Sequence, residues 1–314
     1  MSKKKFVDLI NLLKKENYSF RMFKADSIGY FLPEDADWNY KDVVHANFVH
    51  PGQGNVQACA LEDVTSSINL LRFPFFGLTI PLVSIMYEQS RFNQVYFSSF
   101  GPFILLCNTI SEKISSDQTK VTTSYAICSR GIFKYFHKII EKMVLKNYNT
   151  LMSEDIPMRN RRGELRRCGH KFYSDTKTTF NFTEQINRAN VYLDQNIKSE
   201  IYVKKSEILS SKSGDRIGEN LGILSFFVTE EGDKKKIWPT TCAHEGASLT
   251  NKCIKNDKIY CPWHNRVTNP LIVIDIKEKD KLNLVPSNDY SVTHENDFIK
   301  IKFRNDPEHY NKNY

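Results

Sequence analysis

The chain has 314 residues, 40% hydrophobic and 12% aromatic, enough to bury a core that holds a pocket and long enough for two domains. Its net charge of +8 sits at the front: residues 1–199 carry 26 Lys and Arg against 19 Asp and Glu, while residues 200–314 carry 18 against 17. A basic surplus can attract nucleic acid, but no nucleic-acid motif or aromatic interleaving accompanies it, so no nucleic-acid partner is expected, and seven irregularly spaced cysteines argue against a disulfide framework and for a reducing, cytoplasmic setting.

The first predicted element, MSKKKFVDLINLLKK, mixes apolar and charged residues without an uninterrupted apolar core, so it reads as an amphipathic helix rather than a signal peptide. Two charge-poor stretches fail as transmembrane segments. Residues 73–87 are too few, and 92–111 are broken by Asn93, Gln94, Gly101, Pro102 and Asn108; buried strands are expected instead. The runs 91–110 and 119–129, β-branched, aromatic and punctuated by Gly, Pro and Ser, predict antiparallel sheet. From Ile132 the apolar residues recur at three and four, which predicts one long helix or two abutting helices, kinked at Pro157 and capped at Gly169. The five arginines between Arg159 and Arg167 are expected on a solvated face of it.

Polar chain over 173–199 is expected to link two domains, 1–172 and 200–314. In the second, short strands are predicted at 201–209, 216–228, 235–242, 257–262, 271–276 and 298–303, making a small all-β domain and an α+β chain overall. Cys59, Cys107, Cys128 and Cys168 are expected as small core residues and Cys253 as a free thiol.

The chemistry concentrates in two stretches. In 241-TCAHEGASLTNKCIKNDKIYCPWHN-265, Cys242-x-His244 and Cys261-x-x-His264 are separated by 16 residues and offer four ligands from two short loops, a set for one metal or one small cluster. His244 is followed by Glu245, Gly246 and Ala247, and Pro262 and Trp263 fill the second loop. This stretch resembles the Rieske family, which implies a [2Fe-2S] cluster with Cys242 and Cys261 on one iron and His244 and His264 on the other. Glu245 stands where many relatives have Arg, and Asn265 where they have Gly. With no partner cysteines to clip the loops together, the likeness is to the lower-potential oxygenase or ferredoxin type; a structural zinc site is the alternative.

The second stretch is 38-WNYKDVVHANFVHPG-52, where Asp42 and His45, three apart, are expected on one helix face and His50 at the helix end before Pro51-Gly52. Two histidines so placed suit a two-histidine, one-carboxylate iron site. This stretch resembles the catalytic motif of Rieske non-haem iron oxygenases. The resemblance implies His45 and His50 as ligands of a mononuclear Fe(II) and Asp42 as the acid bridging it to the cluster. It also implies a third ligand from the acidic pair of the closing helix, Asp155 with Glu154 as fallback, although Ser153-Glu154-Asp155 can equally be a helix cap. The sheet and long helix are similar to a helix-grip catalytic domain, with 70–83 available to line its cavity, and the domain order is the reverse of the family's usual one. An oxygenase of this kind takes electrons from a reductase or ferredoxin, within one chain or between chains of a homo-oligomer, and uses O₂ to hydroxylate, demethylate or desaturate an apolar small molecule. The alternative is a non-catalytic helix-grip ligand-binding domain fused to a Rieske electron carrier or redox sensor.

Overall fold

The computed structural model describes residues 5–42, 45–50, 53–61, 64–73, 78–167, 200–221, 224–243, 245–278, 281–287 and 289–303. These fall into two units, the described residues up to Gly163 and those from Glu164 onward. The expected 173–199 linker, Gly169 and Cys168 lie outside them.

In the first unit the amphipathic helix α1 (Phe6–Lys15) is followed by β1 (Ser19–Gly29), α2 (Pro33–Lys41) and the single turn α3 (Ala46–Val49). Six strands come next: β2 (Gln53–Leu61), β3 (Val64–Phe73), β4 (Leu78–Ser90), β5 (Asn93–Phe100), β6 (Phe103–Lys113) and β7 (Thr119–Ser129). They form one antiparallel sheet of order β1-β7-β6-β5-β4-β3-β2, in which β1 returns to pair with the last strand, Ser19 opposite Ser129. Tight turns such as the one at Gly101, whose φ of +54° favours a residue without a Cβ, keep the successive strands adjacent. The long helix α4 (His137–Arg167), preceded by the 3₁₀ turn Gly131–Phe136, runs unbroken through Pro157 and lays Tyr148 and Met152 against Cys107 and Tyr125 of the sheet.

Three expectations change. The strands β1, β2 and β3 extend the sheet well before residue 91. The 73–87 run yields the strand β4, but its described side chains are mostly half-buried rather than buried. The arginine cluster is not a solvated face: Arg159 and Arg162 are 0% exposed. Along α4, Tyr148, Met152, Asp155, Arg159 and Arg162 are spaced three and four apart, so the two arginines continue the inward stripe that the apolar residues begin. The Arg162 guanidinium lies 3.9 Å from the Trp38 ring centroid, and its Nε donates to Asp35 Oδ1 at 3.1 Å. Asp35 Oδ2 in turn accepts the Leu32 N–H that opens α2. One carboxylate thus caps α2 and ties it to α4; breaking so buried a pair by removing one partner costs about 3–5 kcal/mol.

The second unit holds β8 (Glu200–Lys204), α5 (Lys205–Ser210), β9 (Arg216–Leu221), β10 (Leu224–Glu231), β11 (Lys234–Pro239), β12 (Ile254–Lys255) and β13 (Lys258–Tyr260). It continues with β14 (Val267–Thr268), β15 (Ile272–Asp275), β16 (Leu282–Leu284), β17 (Tyr290–Glu295) and β18 (Phe298–Phe303). Three antiparallel sheets result, β16-β15-β11-β10-β9, β12-β13-β14 and β17-β18-β8, around a core that includes Val203, Ile208, Val228, Ile237, Ile272 and Ile299. Residues 205–209, expected as strand, are helical: Ile208 reaches the core from α5.

Close approach of α4 to the chain before α2 generates a prediction. Replacing an exposed helical glycine by alanine ordinarily stabilises by about 1 kcal/mol. At Gly163 a Cβ would lie 2.1 Å from the Tyr30 carbonyl oxygen and 2.9 Å from Phe31 Cα, both backbone. Gly163→Ala is therefore expected to lower the urea midpoint, and a midpoint at or above the parental one would show that this contact yields freely.

Candidate metal centre

Two separate donor sets are built, one in each unit. In the first, α2 ends at Lys41 with Asp42 as its C-cap, and α3 is flanked by His45 before it and His50 after it. The expectation that Asp42 and His45 share one helix face is thus corrected: the helix stops at Asp42, and the chain turns. The turn still brings the residues together. His45 Nε2 lies 3.4 Å and His50 Nε2 3.2 Å from Asp155 Oδ1, with the imidazole centroids 5.2 Å apart at 70°. All three side chains are buried, and their donor atoms lie within 4.8 Å of one another. Asp155, not Glu154, is the converging carboxylate.

Each imidazole is oriented from behind. His50 Nδ1 is 2.7 Å from Glu154 Oε2, and His45 Nδ1 meets the Asp42 backbone carbonyl, while the Asp42 carboxylate stands 3.9 Å away. Since a carboxylate and a carbonyl only accept, each Nδ1 carries a proton, and each Nε2 faces Asp155 Oδ1, to which it donates when it is protonated as well. Burial pushes the Asp155 carboxyl up, but hydrogen bonds from His45 and His50 and the charge of Arg159 outweigh it and hold it well below the usual carboxylate range. Burial pulls His50 down, and its bonds to Asp155 and Glu154 more than reverse that. With their Nε2 protons released, the two imidazoles and the ionised carboxylate would make a nitrogen and oxygen donor set suited to Fe(II), and the residues fit that ion.

Two contributors were not anticipated. Asn39 Nδ2 lies 3.3 Å from Asp155 Oδ1 and 3.4 Å from His45 Nε2, and Arg159 donates to Asn39 Oδ1 through Nε at 3.0 Å and through its terminal nitrogen at 2.6 Å. Arg159 also lies 3.5 Å from Asp155 Oδ2 and 4.6 Å from the Tyr40 ring centroid. Their sequence signal is phase: Asn39 falls one turn after Asp35 on α2, and Arg159 one turn after Asp155 on α4.

The triad opens onto a cavity of about 260 Å³ between α4 and the sheet. Among the described residues its lining includes Ser67, Ser84 and Met86, together with Tyr40, Tyr96, Tyr125 and Tyr148; most side chains of the 70–83 run lie outside the described ones. Ser84 pairs with Ser98 across β4 and β5 at 2.8 Å, and Thr109 with Thr123 across β6 and β7 at 3.1 Å.

In the second unit Cys242 and Cys261 open two loops of the same construction. Cys242 N–H donates to Ala247 O and its carbonyl accepts Gly246 N–H, at 2.8 and 3.1 Å; Cys261 N–H donates to Arg266 O and its carbonyl accepts Asn265 N–H, both at 2.8 Å. Each loop turns at a left-handed residue, Gly246 at φ +83° and Asn265 at φ +56°. Asn is the side chain that best tolerates that region, which explains why it can stand where a Gly was expected. The two thiols are buried and meet: Cys242, raised by its bond to Cys261 and by burial, holds the proton, while Cys261 is lowered against its burial by bonds from Cys242 and the buried His264. His244 lies outside the described residues. Behind the loops Tyr290 Oη donates to Thr241 O at 2.7 Å, and Asp289 receives Arg266 in a two-pronged pair, so the start of β17 holds both loops. Cys261 thus meets both the Cys242 thiol and the His264 imidazole, donor types that suit a soft metal or an iron–sulfur group, although among the described residues these three atoms do not converge as tightly as the His45, His50 and Asp155 set. Of the other cysteines, Cys107 and Cys128 are buried core residues, and Cys253 is a free thiol.

No family model matches the chain, and no curated protein matches it in sequence. Solved structures similar to its first part include the Zhui aromatase/cyclase from Streptomyces sp. R1128, at 10% identity over 46% of this chain and 96% of that one, TM-score 0.39. A START superfamily protein from Mycobacterium smegmatis aligns at 8% identity over 43% and 97%, TM-score 0.36, and norcoclaurine synthase from Thalictrum flavum at 10% over 44% and 92%, TM-score 0.36.

The roles of the acidic pair can be separated. Asp155→Ala should abolish stoichiometric binding of Fe(II) titrated anaerobically into protein freed of metal, whereas Glu154→Gln should weaken it about 10–100-fold by loosening His50. Equal losses in the two variants would overturn this division.

Proposed function

We propose that this chain is a Rieske-type, O₂-dependent oxygenase acting on an apolar small molecule, with electrons supplied by a separate reductase or ferredoxin. The observation that carries the reading is the convergence of His45 Nε2, His50 Nε2 and Asp155 Oδ1 on one buried point at the wall of an open cavity. Cys242, Cys261 and His264, with His244 as the fourth donor, would hold a [2Fe-2S] cluster, and His45, His50 and Asp155 would hold Fe(II). When bound, these groups would supply one-electron transfer and O₂ activation respectively.

The chain's own part is positional. Glu154 and the Asp42 carbonyl keep the proton of each imidazole on Nδ1, and Arg159 offsets the buried negative charge of Asp155. The aromatic walls at Tyr96, Tyr125 and Tyr148 exclude water and present an apolar substrate to the triad. Asp42, whose carboxylate is buried 3.9 Å from His45 Nδ1, is the chain's candidate link between the two donor sets.

Iron and acid-labile sulfide measured on anaerobically prepared protein test the reading: three irons and two sulfides per chain are expected, with a low average g in the reduced electron paramagnetic resonance spectrum. Colourless protein with stoichiometric zinc would refute it, and two irons would favour the carrier alternative. In the loaded protein Asp42→Asn should keep the iron and slow single-turnover reoxidation of the prereduced chain by about 10–100-fold; parental kinetics would remove Asp42 from the route.

A further inference from the structure

The turn between β7 and α4 is exposed in a way that neither donor set explains. From Arg130 to Phe136 seven consecutive residues are exposed, and none of the 3₁₀ turn Gly131–Phe136 is buried. Four of them are large and apolar or aromatic, with Ile132 at 69% and Tyr135 at 75% exposure beside Phe133 and Phe136. The turn is open at its start, where a Cβ added at Gly131, φ +62°, would meet nothing within 4 Å, and Phe133 keeps an edge-on contact with Phe103 of the sheet. The apolar row continues onto α4 through Ile139 and Met143, both exposed and in step with Tyr135 at four-residue spacing.

A second row runs alongside. Lys134, Lys138, Lys142 and Lys146 repeat every four residues, one position before the apolar row, and all are exposed. Among the described residues no ion pair engages them, and the one acid within this stretch, Glu141, is taken by Arg21. Large apolar side chains on a protruding turn, rimmed on one side by unneutralised lysines, are the features of an element that lies in a membrane interface, with its apolar row at the acyl boundary and its cations at the headgroups.

We propose that the β7–α4 turn and the first turns of α4 dock this protein on an anionic lipid surface. Charge complementarity fixes the sign of the partner. Its fluid nature follows from the shape: a convex tip needs a matching pocket in a protein partner but none in lipid. A second copy of the chain is disfavoured because an isologous contact would set the two lysine rows against each other. The proposal does not depend on either metal site.

Sedimentation of the full chain with vesicles of phosphatidylcholine, with and without phosphatidylserine, tests it. Binding is expected only with phosphatidylserine and should weaken as salt rises. Replacing the four lysines of the row by Gln should lower the partition coefficient by about 100-fold or more, at about fivefold per lysine. Ile132→Ser with Tyr135→Ser and Ile139→Ser should lower it by at least about tenfold at unchanged charge; these side chains are exposed, so both variants should melt with the parent. Absence of binding to the anionic vesicles would overturn the proposal, as would parental binding by either variant. Concentration-dependent dimerisation lost in the serine variant without vesicle binding would assign the surface to a second copy and overturn it as well.

Discussion

The arrangement of the first unit depends on two buried guanidinium groups. Arg162 fixes the start of α2 through Asp35 and Trp38, and Arg159 fixes its last turn through Asn39, so α2 is registered against α4 at both ends. The nitrogen donors come from the chain just after α2, and the oxygen donor comes from α4. A triad drawn from two elements is only as well placed as those elements are relative to each other, and charge-assisted, geometrically specific bonds set that register more tightly than apolar contact could. The same Arg159 that positions α2 also stabilises ionised Asp155, so architecture and electrostatics rest on one side chain.

The second unit solves a different problem. Its thiols sit on loops, which need rigidity from elsewhere, and obtain it from duplicate turn geometry and from the Tyr290 and Asp289 anchors rather than from a helix. The turn residue need not be glycine in both loops: the left-handed conformation is the requirement, and Gly246 and Asn265 each meet it. The donor chemistry contrasts between the units, nitrogen and oxygen in one and sulfur with nitrogen in the other, and the two sets would favour different metals.

Much of this was legible in the sequence, and the misses share a cause. Short-range patterns survived: helix α1, strands β5 to β7 and the long α4 all follow from local spacing, whereas Asp155 is singled out through a family resemblance. What failed was assigning a partner to a charged residue. Five arginines in nine positions look solvated when counted, but Arg159 and Arg162 are in phase with Tyr148 and Met152, and phase decides which face they occupy. Strand β1 was missed because its alternation is diluted by Lys24 and Asp26 on the exposed side and by Arg21, which pairs with Glu141 of α4, on the other, and because its partner β7 is distant in sequence. Asn39 carried no motif of its own; only the fold brings Asp155 and Arg159 to it.

The paired hydroxyls of the cavity carry a consequence for how this interior can drift. Ser84 with Ser98 and Thr109 with Thr123 are direct cross-strand neighbours, and each pair meets one of its two hydroxyl donors internally. A wall that is polar by composition therefore presents less unmet polarity than its residues suggest, while Tyr40 and Tyr148 bring further hydroxyls to it. Changing one member alone leaves the other buried and unmatched, a larger loss than changing both to apolar residues of the same shape. Mutational paths through this cavity should then move two positions at a time, with a step at one strand answered by its neighbour across the ladder.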